Sequence, residues 1–292
     1  IILQIRPKKS GAAYKKIWWD EGSPLVVISE RFSKKVTKKV EVPVSLAMRY
    51  GSMSMEKGFK ELTEQGVDEI LLVPLYPHYA MSSYETVTVK AEQIVAEQYP
   101  NVTMDILPTF YDKPEYIRAM SDNIKNHLDG FEYDHVLFSY HGIPERHIRK
   151  SDPTNNHCKL DGSCCERNSV AHHTCYRHQC FETTKGIVKN LELEEGTYSN
   201  SFQSRLLKDP WLKPYTDFEL ENIAFNQTIL HDEVNGQLEV GQLLVSDSTS
   251  FHELKLINTG ANGVVDAVLS WDPNTNDYSE LKWRTTILPN DY

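Results

Sequence analysis

The chain has 292 residues, 40% of them hydrophobic and 25% charged, enough for two ordinary domains with cores of their own. Its formal charge of -10 argues against a nucleic-acid partner, because a phosphate-binding face needs surplus Lys and Arg. No apolar run approaches the roughly eighteen residues that span a bilayer, and no charged segment followed by an apolar one marks export, so the expectation is a soluble, cytoplasmic protein.

Ser23-Pro24 reads as an N-cap with Pro at the first helical position, opening a helix that carries Leu25, Ile28, Phe32, Val36 and Val40 toward a core. Val42, Val44, Leu46 and Met48 alternate as a strand would. Residues 52–65 then read as a helix stopped by Gly66. The run Ile70-Leu71-Leu72-Val73-Pro74-Leu75 lacks polar alternation, as expected of a parallel strand in a strand reading of 69–75. The alternation continues with a helix at 84–99, a strand at 102–107, a helix at 114–128 and a buried strand at 135–139. Repeated strand-helix units predict an α/β fold. A lobe boundary falls near 109–114, giving a first lobe over 1–112 and a second over 113–220 with a cysteine-rich insert at 157–180. Composition shifts near residue 220. The segment 221–292 is rich in Asn, Thr, Ser, Asp and Gly, with Asn235-Gly236 and Asn262-Gly263 as turn signals, and reads as an antiparallel β-rich tail of a different design.

His141 stands one or two residues beyond the strand at 135–139, followed by Gly142 and Pro144, which turn the chain sharply. Ligands of open α/β sheets sit outside the carboxyl ends of strands, and an imidazole there can ligate a divalent metal or accept a proton near neutral pH. All five cysteines, Cys158, Cys164, Cys165, Cys175 and Cys180, fall in one short stretch interleaved with His157, His172, His173 and His178. That clustering suits a metal or cluster site in a reducing compartment better than a disulfide framework, though the spacing fits no zinc-finger template. Lys15 and Lys16 read as a solvated helix face, and His78, His127 and His135 as surface or hydrogen-bonded histidines. Glu145 and His147 are explained by turn structure.

Six segments together carry a family resemblance: G-S-P-L at 22–25, A-M-R-Y-G at 47–51, L-Y-P-H-Y at 75–79, S-Y-H-G-I-P-E-R-H at 139–147, S-F-Q-S-R at 201–205 and P-W-L-K-P-Y-T-D at 210–217. In that order and spacing they resemble the ferrochelatase family, from about Arg6 to Asp217. The resemblance implies two Rossmann-like, chelatase-type lobes and a lyase of haem biosynthesis that inserts ferrous iron into protoporphyrin IX or a related porphyrin. By similarity His141 is the metal ligand and proton acceptor, and Arg6 and Lys9 match cationic residues that would hold the porphyrin propionates. Tyr14 and Ser23 match further pocket residues, while Tyr76, Gln203, Ser204 and Trp211 correspond to pocket walls. Some bacterial members carry a two-iron two-sulfur cluster on an internal cysteine-rich insert similar to this one. Four of the five cysteines suffice for such a cluster, and the sequence leaves open which four, as it leaves open zinc or no metal. Peripheral membrane association is a further expectation.

The family's first strand, and the loop that sets a carboxylate opposite the His, find no match, and Glu233 and Glu239 cannot be assigned that role by position. The expectation is therefore an incomplete pair of lobes with impaired activity. Alternatives are a non-catalytic tetrapyrrole or iron-sulfur binding protein, a cobalt chelatase, which lacks the P-W-L-K-P-Y-T-D segment, and a structural attachment role for the tail.

Overall fold

The computed structural model describes residues 11, 14, 15, 17–130, 133–205 and 209–223, together with the strand backbones at 243–246, 251–254, 268–270 and 282–284. Contacts divide the chain into two units, Ile1–Leu75 with Ser82–Pro108, and Tyr76–Met81 with Thr109–Tyr292.

In the first unit, helix α1 spans Pro24–Thr37 with Ser23 as N-cap and Pro at its first turn. Its apolar positions do not form the expected core stripe. Val27 is buried, whereas Leu25, Ile28, Phe32 and Val40 are exposed, because no described element lies over that face. Helix α2 (Met55–Thr63) starts later than the sequence suggests, since Ser54 is its N-cap and accepts from the Lys57 amide. Gly66 follows it at φ +81°, the left-handed conformation that a Cβ penalises. The strand expected over Val42–Met48 is absent among the described residues. Met48 makes one isolated bridge, to Ser54, and a strand without a neighbour leaves its backbone groups unpaired. Strand β1 (Glu69–Leu72) pairs in parallel with β2 (Thr103–Ile106), and a π-helical turn, Met81–Glu85, and helix α3 (Thr86–Gln98) connect them. This βαβ unit closes over Met55, Phe59, Ile70, Ala91 and Ile94, the buried centre of the unit.

The second unit repeats the plan. Helix α4 occupies Pro114–Leu128, with Pro again at the first turn, and β3 (Val136–His141) pairs in parallel with β4 (Tyr198–Gln203). Between those strands run α5 (Glu145–Ser151), a 3-10 turn at Val170–Thr174 and α6 (Tyr176–Leu191). Gly186 on α6 lets α4 come close, since a Cβ there would meet Ile117 at 2.9 Å. Two apolar clusters result: Ile117, Phe138 and Ile187 under α4, and Ile143, Ile148, Cys180, Phe202 and Leu212 beneath the ends of the strands. The segment Tyr76–Met81 joins this unit through polar anchors: the Tyr79 amide donates to the Gln179 side chain at 2.6 Å, and the Phe110 amide to the Pro77 carbonyl at 3.1 Å. In the tail, β5 (Leu243–Ser246) pairs antiparallel with β6 (Phe251–Leu254), and β7 (Val268–Ser270) with β8 (Lys282–Arg284). The chain is thus α/β with short parallel strands, followed by antiparallel pairs.

Candidate functional site

His141 is the last residue of β3 rather than a loop residue beyond it, and its register partner is Gln203, the last residue of β4. The exposed imidazole stands at the strand's carboxyl end while the next three residues, Gly142, Ile143 and Pro144, are buried. Its backbone is held on both sides. The Tyr176 hydroxyl donates to the His141 carbonyl at 2.9 Å, and the Gly142 amide donates to the Gln203 carbonyl at 2.8 Å. Gly142 is required by close approach rather than by a left-handed turn: a Cβ there would lie 2.6 Å from the Gln203 carbonyl oxygen and 3.4 Å from the Trp211 ring.

The strand after His141 is zipped to the segment that follows β4. The Leu212 amide donates to the Ile143 carbonyl at 3.0 Å, the Glu145 amide to the Pro210 carbonyl at 2.9 Å, and Pro144 bridges Trp211. Arg205 explains why S-F-Q-S-R and P-W-L-K-P-Y-T-D belong together. Its guanidinium pairs with Asp217 at 2.8 Å and lies over the rings of Tyr215 and Phe218. Ser204 between them takes φ +67°, so the chain turns sharply out of β4 there. Gln203 Nε2 and Trp211 Nε1 are among the buried polar atoms without a partner among the described residues; Gln203 is opposite His141 in register, and Trp211 bridges Pro144. A buried donor left unpaired costs about 1–3 kcal/mol.

Of the other sequence candidates, Tyr76 is exposed in the segment anchored to α6. Tyr14, in the first unit, is exposed, and Ser23 is the half-buried N-cap of α1, its hydroxyl making no capping bond. Arg6 and Lys9 lie outside the described residues. His78 is a hydrogen-bonded core histidine. Its Nε2 lies 2.9 Å from the Thr183 hydroxyl, which itself donates to the Tyr111 carbonyl, so the neutral ring carries its proton on Nε2. Burial pushes the His78 pKa down to about 4.

The cysteines separate into four and one. Cys158, Cys164, Cys165 and Cys175 line one cavity of about 10 Å³ together with His157, His172, Ser151 and Asp152. The Cys165 partner lowers the Cys175 pKa, helped against burial by the amides of His178 and Arg177 in the first turn of α6. Cys180 is fully buried in the apolar cluster under the strand ends, and burial holds its thiol well above the ordinary range. Among the described residues no three His, Cys, Asp or Glu side chains surround a single-ion position. Four cysteines on one cavity still match the thiolate count of a two-iron cluster, which takes four.

Asp152 organises the insert, and sequence reading passed over it. One carboxylate oxygen accepts from the Thr154 amide and hydroxyl at 2.8 and 2.7 Å, the other from the His157 and Cys158 amides at 2.9 and 3.0 Å. Burial alone would raise this carboxyl; the four donors outweigh it and hold the pKa at about 2. The Asp-Pro-Thr sequence was the available signal, an Asp whose side chain bonds the backbone two residues on. Nearby, His172 stacks on His178 at 3.6 Å and meets His157 edge-on at 5.2 Å, with His157 and His172 both reaching the Cys164 carbonyl.

Comparison with known proteins gives the family. The ferrochelatase family model matches residues 1–230, past the boundary that composition suggested near 220. A ferrochelatase of Pseudomonas fluorescens (strain SBW25) is 44% identical over 226 residues, covering 77% of this chain and 66% of that relative. Ferrochelatases of Stutzerimonas stutzeri, 44% identical, and Opitutus terrae, 43% identical, cover 66% and 65% of their own lengths. The chain thus spans just under two thirds of the curated relatives it matches, and on residues 1–230 it belongs to the ferrochelatase family.

Proposed function

We propose that the chain carries the metal-binding half of a ferrochelatase reaction: ferrous iron enters a porphyrin, two pyrrole protons leave, and haem is the product. The observation that carries this reading is His141, exposed at the carboxyl end of a parallel strand within a family match, with its backbone fixed on both sides. A fixed backbone and a free ring are what a ligand needs if it is to take up iron and then release it to a stronger nitrogen donor. His141 holds the entering metal ion, and its imidazole is the base within reach of the departing pyrrole protons. Gln203 Nε2 and Trp211 Nε1 supply unspent donors, and Ser204 and Tyr76 complete the wall that this unit offers a flat macrocycle. By family resemblance alone, Arg6, Lys9, Tyr14 and Ser23 are assigned to the porphyrin rim and its anionic propionates.

The same proposal assigns Cys158, Cys164, Cys165 and Cys175 as ligands of a two-iron two-sulfur cluster, with Cys180 as core. When bound, the cluster supplies four iron–thiolate bonds that cross-link the insert. A reducing compartment such as the cytoplasm suits it.

Because the relatives are longer, the test uses the full chain and a chimera carrying the remaining segments of the Pseudomonas fluorescens relative. Zinc and protoporphyrin are supplied and metalloporphyrin fluorescence is followed. The expected result is insertion by the chimera and its loss in His141→Ala. Insertion at the parent rate in His141→Ala overturns the reading, and porphyrin binding without turnover in every version reduces the chain to a binding protein. Iron–sulfur absorbance after reconstitution should survive Cys180→Ala and vanish in Cys175→Ser.

A further inference from the structure

Two features that the reaction uses separately meet on one turn of helix. Cys175, one of the four clustered thiols, is the N-cap of α6, and its side chain makes no capping hydrogen bond. The first helical residue is Tyr176, whose hydroxyl holds the His141 carbonyl at 2.9 Å. The Tyr176 ring is fixed edge-on against His78, with centroids 5.8 Å apart, and its side chain meets Cys180. The route from the insert to His141 is therefore one peptide bond and one hydrogen bond long.

Helix first turns leave amides without intrahelical partners and are the part that opens first. In α6 that turn is ordered from several sides. Gln179 donates to the His172 and His173 carbonyls at 3.1 and 2.9 Å, Arg177 donates to the Leu160 carbonyl at 2.9 Å, and His178 Nδ1 lies 3.2 Å from the Cys165 carbonyl. At its start the Cys175 sulfur, uncapped, stands among the other three thiols of the cavity. Iron held by the four thiols would join Cys175 to the part of the insert carrying Cys158, which Asp152 fixes through the His157 and Cys158 amides.

We propose that Tyr176 is a positioning residue through which the iron–sulfur state of the insert controls His141: iron on the four thiols fixes the first turn of α6 and the Tyr176 hydroxyl on the His141 carbonyl, and loss of iron releases both. This rests on the roles given above to His141 and to the four cysteines. The insert then acts on metal insertion without touching porphyrin. His141 in the iron-free protein samples positions in which its ring no longer faces the ligand that its strand fixes for it, so metal uptake weakens while the chemical step, once metal is bound, changes less.

The test compares amide hydrogen exchange at the end of β3, above all Gly142, in iron-loaded and iron-stripped protein, for the parent chain and for Tyr176→Phe, which keeps the ring and its packing on His78. Stripping iron from the parent should speed exchange there by about fivefold, the equivalent of one lost hydrogen bond. In Tyr176→Phe exchange should be fast in both states, and in the chimera the KM for zinc should rise by about the same factor with a smaller change in kcat. Cys158→Ser, which removes one of the four thiols away from the start of α6, should exchange like stripped parent, so the reading does not depend on one variant folding. Equal exchange in loaded and stripped parent overturns the coupling, as does an iron-dependent difference that persists in Tyr176→Phe. If no iron–sulfur absorbance develops on the parent, the cluster assignment fails and the coupling with it. If absorbance develops and His141→Ala abolishes insertion while exchange ignores iron, the coupling alone fails.

Discussion

Adding one methyl group at Gly142 tests the close approach on which the His141 site depends. The Cβ of Gly142→Ala would lie 2.6 Å from the Gln203 carbonyl oxygen, where an ordinary contact begins at 3.4 Å, so the end of β3 and the end of β4 must part by roughly 0.8 Å. That opening stretches the Gly142 N–H to Gln203 carbonyl bond from 2.8 Å to beyond hydrogen-bonding range. The Trp211 ring, 3.4 Å from the new methyl, further limits where it can go. Losing one backbone hydrogen bond and leaving a buried carbonyl unpaired costs about 2–3 kcal/mol, with no compensating burial. In a unit of this size that lowers the melting temperature by about 5–10 °C. Urea denaturation and thermal unfolding of Gly142→Ala against the parent measure it, and zinc insertion by the chimera reports whether His141 has moved with the strand. A variant within about 0.5 kcal/mol of the parent and fully active would refute the reasoning, because the two strand ends would then have room that the close approach denies.

Two further predictions follow from groups outside the reacting centre. Asp152→Asn keeps one acceptor oxygen and turns the other position into a donor facing the amides it used to bind, so about 2 kcal/mol of stability and most of the reconstituted iron should be lost; iron per chain and unchanged melting equal to the parent's would refute it. For His78 the folded pKa is depressed from 6.5 to about 4, so the unfolded chain binds the proton first as pH falls. Its contribution is whole above pH 6.5 and is lost between 6.5 and 4, up to about 3 kcal/mol. Urea midpoints at pH 7 and pH 4.5 should converge in His78→Gln, and an unchanged pH dependence in that variant would assign the loss to other groups.

Much of the second unit was legible because its signals are local. Pro at a first turn and a periodic apolar face defined α4 over Pro114–Leu128, and an unbroken apolar run announced β3. The end of β3 was misjudged for a physical reason. Tyr140 and His141 look like a polar exit from the strand, yet both keep their ladder positions opposite Phe202 and Gln203, since Gln203 offers its carbonyl to Gly142 one residue further on. The strand expected over Val42–Met48 shows the opposite error. Alternation is a statement about which face would be buried, and without a neighbouring strand it produces no ladder. Which four cysteines cluster was beyond spacing arguments, but not beyond geometry once α6 is known to begin at Tyr176. Cys175 and Cys180 are five positions apart, about 140° around a helix, so a turn that directs one sulfur to the insert directs the other to the core.

The hardest feature to foresee was the burial of polar residues on α6. His178, Gln179, Cys180, Thr183, Thr184 and Ile187 form its buried side, a set that any search for an apolar stripe would assign to solvent. Part of what they cover is irregular chain whose backbone cannot satisfy itself, and part is polar side chains of β3 and β4. Gln179 meets the Tyr79 amide and the His172 and His173 carbonyls, Thr183 meets the Tyr111 carbonyl and His78, and Thr184 donates to Asn200 while bonding the Tyr140 hydroxyl. An apolar helix in the same place would strand those groups, and each would cost more than a methylene gains. The polar face therefore follows from packing loops, together with polar strand side chains, around the end of β3. A site assembled from the ends of strands needs such a helix, because strand ends are where the ladder stops and some other element must supply the remaining hydrogen bonds.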